Sequence, residues 1–217
     1  MPTIQYRNKE GKRLRGATTH MGQNVGWGKD GLVYWSNQQG LEGKTLSEAR
    51  DTATVSGTIA HYLIECDLKN QTPDLSQYKQ EDIDKGETAF IEYLTWRENF
   101  HFTPIAIEPN LVSEIWQYGG TPDIIGFVQE RLSVIDWKTG RIFANTFGQL
   151  VSYKVLWEEN HPDKPIEGGY HVLRIPRYEE IPSFHHSHWQ RLPDEAWATF
   201  ECALRLSKYE QVLKKLL

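Results

Sequence analysis

Residues 119–140 read GGTPDIIGFVQERLSVIDWKTG. Two β-branched runs, DIIGFV and LSVIDW, flank a short polar stretch, the pattern of a β-hairpin that turns near Gln129–Arg131. Side chains alternate along a strand, so Ile135 and Trp137 point into the core while Asp136 and Lys138 share a face. The returning strand sets Asp136 approximately across from Asp123, and directly opposed side chains lie roughly 5 Å apart at Cβ. Charges on a strand that packs into a core are costly unless paired. One divalent cation would offset the carboxylate repulsion, because a hard ion such as Mg²⁺ takes oxygen ligands and keeps several waters. Such an ion acidifies a ligated water and neutralises charge on a phosphoryl transition state. Lys138 could then orient that water, assist its deprotonation or stabilise developing negative charge. The alternative is a structural ion pair between strands.

Outward from the hairpin, helices and strands segregate. Apolar spacing predicts a short helix around Leu32–Gln39, a helix from Leu46 to about Lys69, and an acidic amphipathic helix over 81–99. PIAIEP, GGYHVLRI and SFHHSHW read as further strands. Phe143–Asn160 reads as a helix, and Pro193 opens a last one with acids early and lysines late, as the helix dipole prefers. The class is α/β (α+β), a central sheet flanked by helices. On the helix after the hairpin, Gln149 and Tyr153 stand at i and i+4, hence on one face. They could aim an amide and a phenol at DNA or at the catalytic strand. Upstream, SGTIAHYLIE places His61 on a helix, where an imidazole can serve as a metal ligand.

The chain has 217 residues, 39% hydrophobic and 24% charged, enough for one domain with a substantial core. The expected domain spans 1–217, with a basic N-terminal arm over 1–16 and a C-terminal helix over about 193–217. Two cysteines are too few for a disulfide framework or a four-cysteine cluster. With no apolar signal region and no stretch of membrane-spanning length, the expected location is the cytoplasm. The formal net charge of −5 excludes a protein coated in nucleic-acid-binding charge. Charge is uneven, however: residues 1–15 carry five Lys or Arg against one acid, a candidate phosphate contact or a frayed terminus.

Four motifs in order resemble the RecB-type branch of the PD-(D/E)xK nuclease superfamily: Gly57-Thr58-Ile59-Ala60-His61, Pro122-Asp123, Asp136-Trp137-Lys138 and Gln149-Leu150-Val151-Ser152-Tyr153. The resemblance covers about residues 55 to 155, and KDGLVYWSNQQGL resembles a helix that precedes the His motif in phage and prophage members. It implies a restriction-endonuclease-like mixed sheet, Mg²⁺ or Mn²⁺ dependence and phosphodiester hydrolysis. It further implies that His61, Asp123, Asp136 and the Trp137 carbonyl surround the metal, with Lys138 as catalytic lysine. Gln149 and Tyr153 would line the active-site end of a DNA path. Many relatives carry a further Glu upstream of the first Asp; Glu108 and Glu114 are both available for it, Glu114 being the nearer candidate.

The expected activity is a stand-alone DNA exonuclease of recombination, repair or phage DNA processing. A recombination partner protein and an oligomer are compatible with it. The rivals are a structure-specific endonuclease and a non-catalytic accessory that binds DNA ends.

Arg174 and Arg177 are candidate phosphate contacts, since guanidinium pairs bidentately with phosphate. His186 and His188 share a strand face and, with His185, could hold a transition metal, contact phosphate, or form an exposed polar face. Trp27, Trp35 and Trp116 could stack on single-stranded bases or pack in the core.

Overall fold

The computed structural model describes residues 4–27, 29–138, 142–174 and 185–217, excepting the side chains of residues 50–54. Arg177 therefore lies outside the described residues. The chain runs β1 (Tyr6–Arg7), β2 (Arg13–Leu14), α1 (Ala17–Asn24), α2 (Lys29–Leu41), α3 (Leu46–Leu68), α4 (Gln80–Asn99) and β3 (Thr103–Ile107). It continues with β4 (Leu111–Ser113), β5 (Tyr118–Gly120), β6 (Ile124–Val128), β7 (Arg131–Lys138), α5 (Asn145–Asn160), β8 (Gly169–Arg174), β9 (His185–Trp189) and α6 (Asp194–Leu213). Among the described helices, none is long and apolar enough to cross a membrane.

Among the described residues, β3, β6, β7, β8 and β9 form one sheet in that order. It is mixed: β6 and β7 are an antiparallel hairpin, whereas β7 and β8 are parallel. Parallel neighbours need a crossover, and α5 supplies it. The hairpin turns at Gln129 and Glu130, both at positive φ (48° and 65°), and Val128 pairs with Arg131 across it. A two-residue loop with that geometry matches the natural strand twist.

Each face of the sheet has its own core. Ile124, Ile135 and Trp137 pack with Ala60 and Ile64 of α3 and with Ala89, Tyr93 and Trp96 of α4. Ile125, Val134 and Val172 pack with Leu150 and Leu156 of α5, Phe200 and Leu204 of α6, and Met21 of α1. Strand β7 is thus buried on both faces, as a strand with a parallel neighbour tends to be. Helix α3 starts at a capping box, in which Thr45 and Glu48 satisfy each other's backbone N–H groups. Its far end is fixed to α4 by Asp67, which accepts from the Tyr93 hydroxyl at 3.1 Å and pairs with Arg97.

The basic arm is neither frayed nor free over its described part. β1 and β2 form a small hairpin, and Asn8 donates to the Gln117 side chain at 3.0 Å. A Cβ on Gly119 would fall 2.1 Å from the Tyr6 ring, so glycine is required where the arm crosses β5. Helix α1 and the β4–β5 pair were not legible beforehand, being short and without strong periodicity.

Candidate active site

The hairpin register pairs Ile124 with Ile135, so the next position outward sets Asp123 opposite Asp136. Asp123 Oδ2 accepts from the Trp137 backbone N–H at 2.8 Å. Asp136 is 1% exposed, and Lys138 Nζ lies 2.6 Å from its Oδ2. Beyond that ion pair, Oδ2 is a buried oxygen without a hydrogen-bonding partner. Burial pushes the Asp136 carboxyl up to about 6, with Lys138 pulling it down and Asp123 pushing it further up. Against a desolvation that would depress it, Asp136 and then Asp123 hold Lys138 above its ordinary value, as an ammonium.

On the α3 side, His61, Glu65, Glu108, Asp123 and Trp137 line a small cleft of about 10 Å³, about the room one water-sized particle needs. Glu108 follows the edge strand β3 at φ 46°, and its backbone N–H donates to the Asp123 carbonyl at 2.9 Å. Burial, then the charges of Glu65 and Asp123, hold its carboxyl above the usual range. Glu114 is elsewhere: its carboxylate accepts from the Lys9 backbone N–H at 2.7 Å, in the turn between β4 and β5. Of the two upstream glutamates left open by the sequence, the structure sets Glu108, not Glu114, beside Asp123. The usable signal was topological, because the residue ending an antiparallel edge strand meets the residue that opens its partner.

On the α5 side, Gln149 and Tyr153 do share a helix face: the Gln149 amide donates to the Tyr153 hydroxyl at 2.6 Å and reaches Thr18 Oγ1 at 3.3 Å. Tyr153 is only 4% exposed, and burial, then Asp136 and Asp123, hold its phenol protonated. The phenol lies within electrostatic reach of Asp136 on β7 and of Asp123. A Cβ on Gly120 would sit 2.6 Å from Leu156 Cδ1 and 3.1 Å from the Tyr153 ring, so Gly120 permits this packing. Arg174 ends β8 directly beside Lys138 in the register.

The three histidines of β9 diverge. His186 accepts or donates at 2.8 Å with His171 of β8, and His188 stacks on His171 at 4.2 Å. His186 also meets Trp96 and Phe100 edge-on, whereas His185 is exposed. Trp116 packs on Trp197 at 5.0 Å, Trp35 is half-buried and Trp27 is 55% exposed.

Among the described residues, no three His, Cys, Asp or Glu side chains converge tightly enough to cage an ion by themselves. The site nevertheless fits a water-rich hard cation, which needs only one or two carboxylates. Asp136 buries a carboxylate oxygen whose close contact is the Lys138 ammonium, Asp123 stands opposite it, and a cleft of one-particle size lies against Asp123 and Trp137. No curated protein matches the chain. A family model described as the PD-(D/E)XK nuclease superfamily matches residues 34–215, a span that contains the hairpin, α3 and α5; nucleases of this family generally use divalent metal ions. The chain belongs to the PD-(D/E)XK nuclease superfamily.

Proposed function

We propose that the chain is a DNA exonuclease that hydrolyses phosphodiester bonds with Mg²⁺ or Mn²⁺. The observation that carries this reading is the register that opposes Asp123 to Asp136 with Lys138 against the same buried carboxylate. A purely structural ion pair accounts less well for it, since a second carboxylate, Asp123, is left facing the same buried spot.

In this reading Asp123 and Asp136 would hold the cation, with His61, Glu108 and the Trp137 carbonyl as the further donors available to it. The ion supplies Lewis acidity and an acidified water. Lys138, kept as an ammonium by the two aspartates, orients the attacking water and stabilises charge that develops on the phosphoryl oxygens. Tyr153 and Gln149 position the catalytic strand, and Gln149, half-buried at the helix surface, faces the path of the DNA. Arg174, beside Lys138, contributes positive charge for a phosphate.

The test is digestion of end-labelled linear single- and double-stranded DNA beside a covalently closed circle, with Mg²⁺, Mn²⁺ or EDTA. The expected result is metal-dependent loss of a linear substrate with the circle spared, and a loss of at least about 10²-fold in Asp136→Ala and Lys138→Ala. Both variants should still bind DNA. Nicking of the circle would replace the exonuclease with a structure-specific endonuclease. DNA binding without cleavage under either metal would leave an accessory that binds DNA ends, and wild-type rates in both variants would sink the assignment.

A further inference from the structure

Helix α6 has two apolar faces where a surface helix ordinarily has one. The inner face, Ala196, Phe200, Ala203, Leu204 and Ser207, is buried against the body of the chain. The outer face carries Cys202, Leu206, Tyr209 and Leu213, continued by Leu216 in the short turn that follows. Leu206, Tyr209, Leu213 and Leu216 are 49%, 57%, 61% and 80% exposed, and Cys202 is exposed as well. From Cys202 to Leu216 the intervals are four, three, four and three residues. That is the a/d spacing of a two-stranded coiled-coil seam. At about 100° per residue, the seam lies about half a turn from the inner face.

The flanking charges select the partner. With Leu206 and Leu213 at a, Arg205 occupies g and Glu210 the next e. In a parallel pair a g residue meets the e residue of the following heptad on the other helix. Arg205 of each copy would then face Glu210 of the other, twice over by symmetry. An antiparallel pair would instead set g positions against g and e positions against e, so this Arg205–Glu210 match would be lost. Within the chain Arg205 pairs with Glu201 at 2.5 Å, and Glu210 with Lys214 at 2.8 Å and Arg15 at 3.4 Å. Exposed pairs of that kind are worth about 0–1 kcal/mol and are readily exchanged. Because the body of each chain packs on the opposite face of its helix, two copies joined along the seam lie on opposite sides of it.

We propose that α6 is a dimerisation helix, pairing in parallel with α6 of a second copy of this chain and bringing Cys202 against Cys202. The seam is short, so the dimer forms with concentration. Sedimentation velocity from low micromolar to several hundred micromolar chain should show the mass doubling, and Leu206→Glu with Leu213→Glu should hold it at the monomer with unchanged circular dichroism. Mild copper-phenanthroline oxidation should cross-link the wild type as a dimer on a non-reducing gel. Cys202→Ser should abolish the cross-link, since Cys66 is buried. A wild type that stays monomeric throughout, or a dimer that survives both glutamates, would overturn the seam. A seam-dependent dimer without the Cys202 cross-link would overturn the parallel arrangement.

Discussion

The β7–β8 pair buries titratable groups on both of its faces, with opposite outcomes. Toward α5, Asp136 and Lys138 are buried as an ion pair: Asp136 holds Lys138 as an ammonium, and Lys138 offsets part of the burial that raises the Asp136 carboxyl. Toward α4, His171 is buried and stacks on the half-buried His186, which meets Trp96 and Phe100 edge-on, and both are pushed down, to about 3 and about 4, by burial and then by the neighbouring histidines. Burial acts alike on both faces, disfavouring charge. The neighbours differ: an opposite charge rescues the ionised form on one face, and like groups suppress it on the other. A catalytic centre needs the first arrangement, because a metal and a phosphate require fixed charges. The second provides packing that is sensitive to acid.

The largest effect should come from breaking the charged couple. Lys138→Met leaves Asp136 buried and unpaired, a change that typically costs about 3–5 kcal/mol. Chemical denaturation in EDTA should record that loss. Adding Asp136→Asn removes the charge itself and should recover much of it. A double variant no more stable than Lys138→Met would show that the couple is not the source of the cost.

Next in size is the response of the histidine face to acid. Both folded-state values lie below the ordinary 6.5, so the unfolded chain takes up protons first as pH falls. Their contribution is fully present above about 6.5 and drains away as pH drops toward about 4 and about 3. Replacing His171 and His186 together by Leu removes both hydrogen-bonding partners at once, which can be nearly neutral at pH 7. Between pH 6.5 and 4 its stability should fall less steeply than the wild type's, by up to about one proton per histidine removed. Equal slopes would mean that the imidazoles titrate normally in the folded chain.

The same contrast explains what could be read from the sequence. Asp123, Asp136 and Lys138 were legible because a hairpin converts sequence distance into register: a two-residue turn fixes which residues oppose each other. Gln149 and Tyr153 were legible for the equivalent reason on a helix. Glu108 was open to confusion with Glu114 because the choice depends on which strand lies beside β6, a long-range pairing that local patterning does not encode. His171 escaped notice for a similar reason. It sits alone in GGYHVLRI, and only the β8–β9 pairing sets it against His186 and His188. The β1–β2 hairpin and α1 are held by contacts such as Tyr6 on Gly119, which no periodicity announces.

The smallest predicted effect concerns the turn that sets the register. Gln129 and Glu130 both adopt left-handed backbone conformations, which cost roughly 1–2 kcal/mol for an ordinary L-residue. Asn-Gly is the preferred pair for a two-residue hairpin turn. Glycine loses more chain entropy on folding, roughly 0.5–1 kcal/mol relative to Ala, so Gln129→Asn with Glu130→Gly should stabilise the chain by only about 0.5–1 kcal/mol. Because the exchange keeps the loop at two residues, Asp123 should stay opposite Asp136 and cleavage should be unchanged. Inserting a single glycine after Glu130 lengthens that loop. If the register follows the turn, Asp136 is displaced from Asp123 and cleavage is lost even where the fold survives. Full activity in the insertion variant would show that the two strands are aligned by their cores, Ile124 on Ile135 against α3 and α4, rather than by the turn.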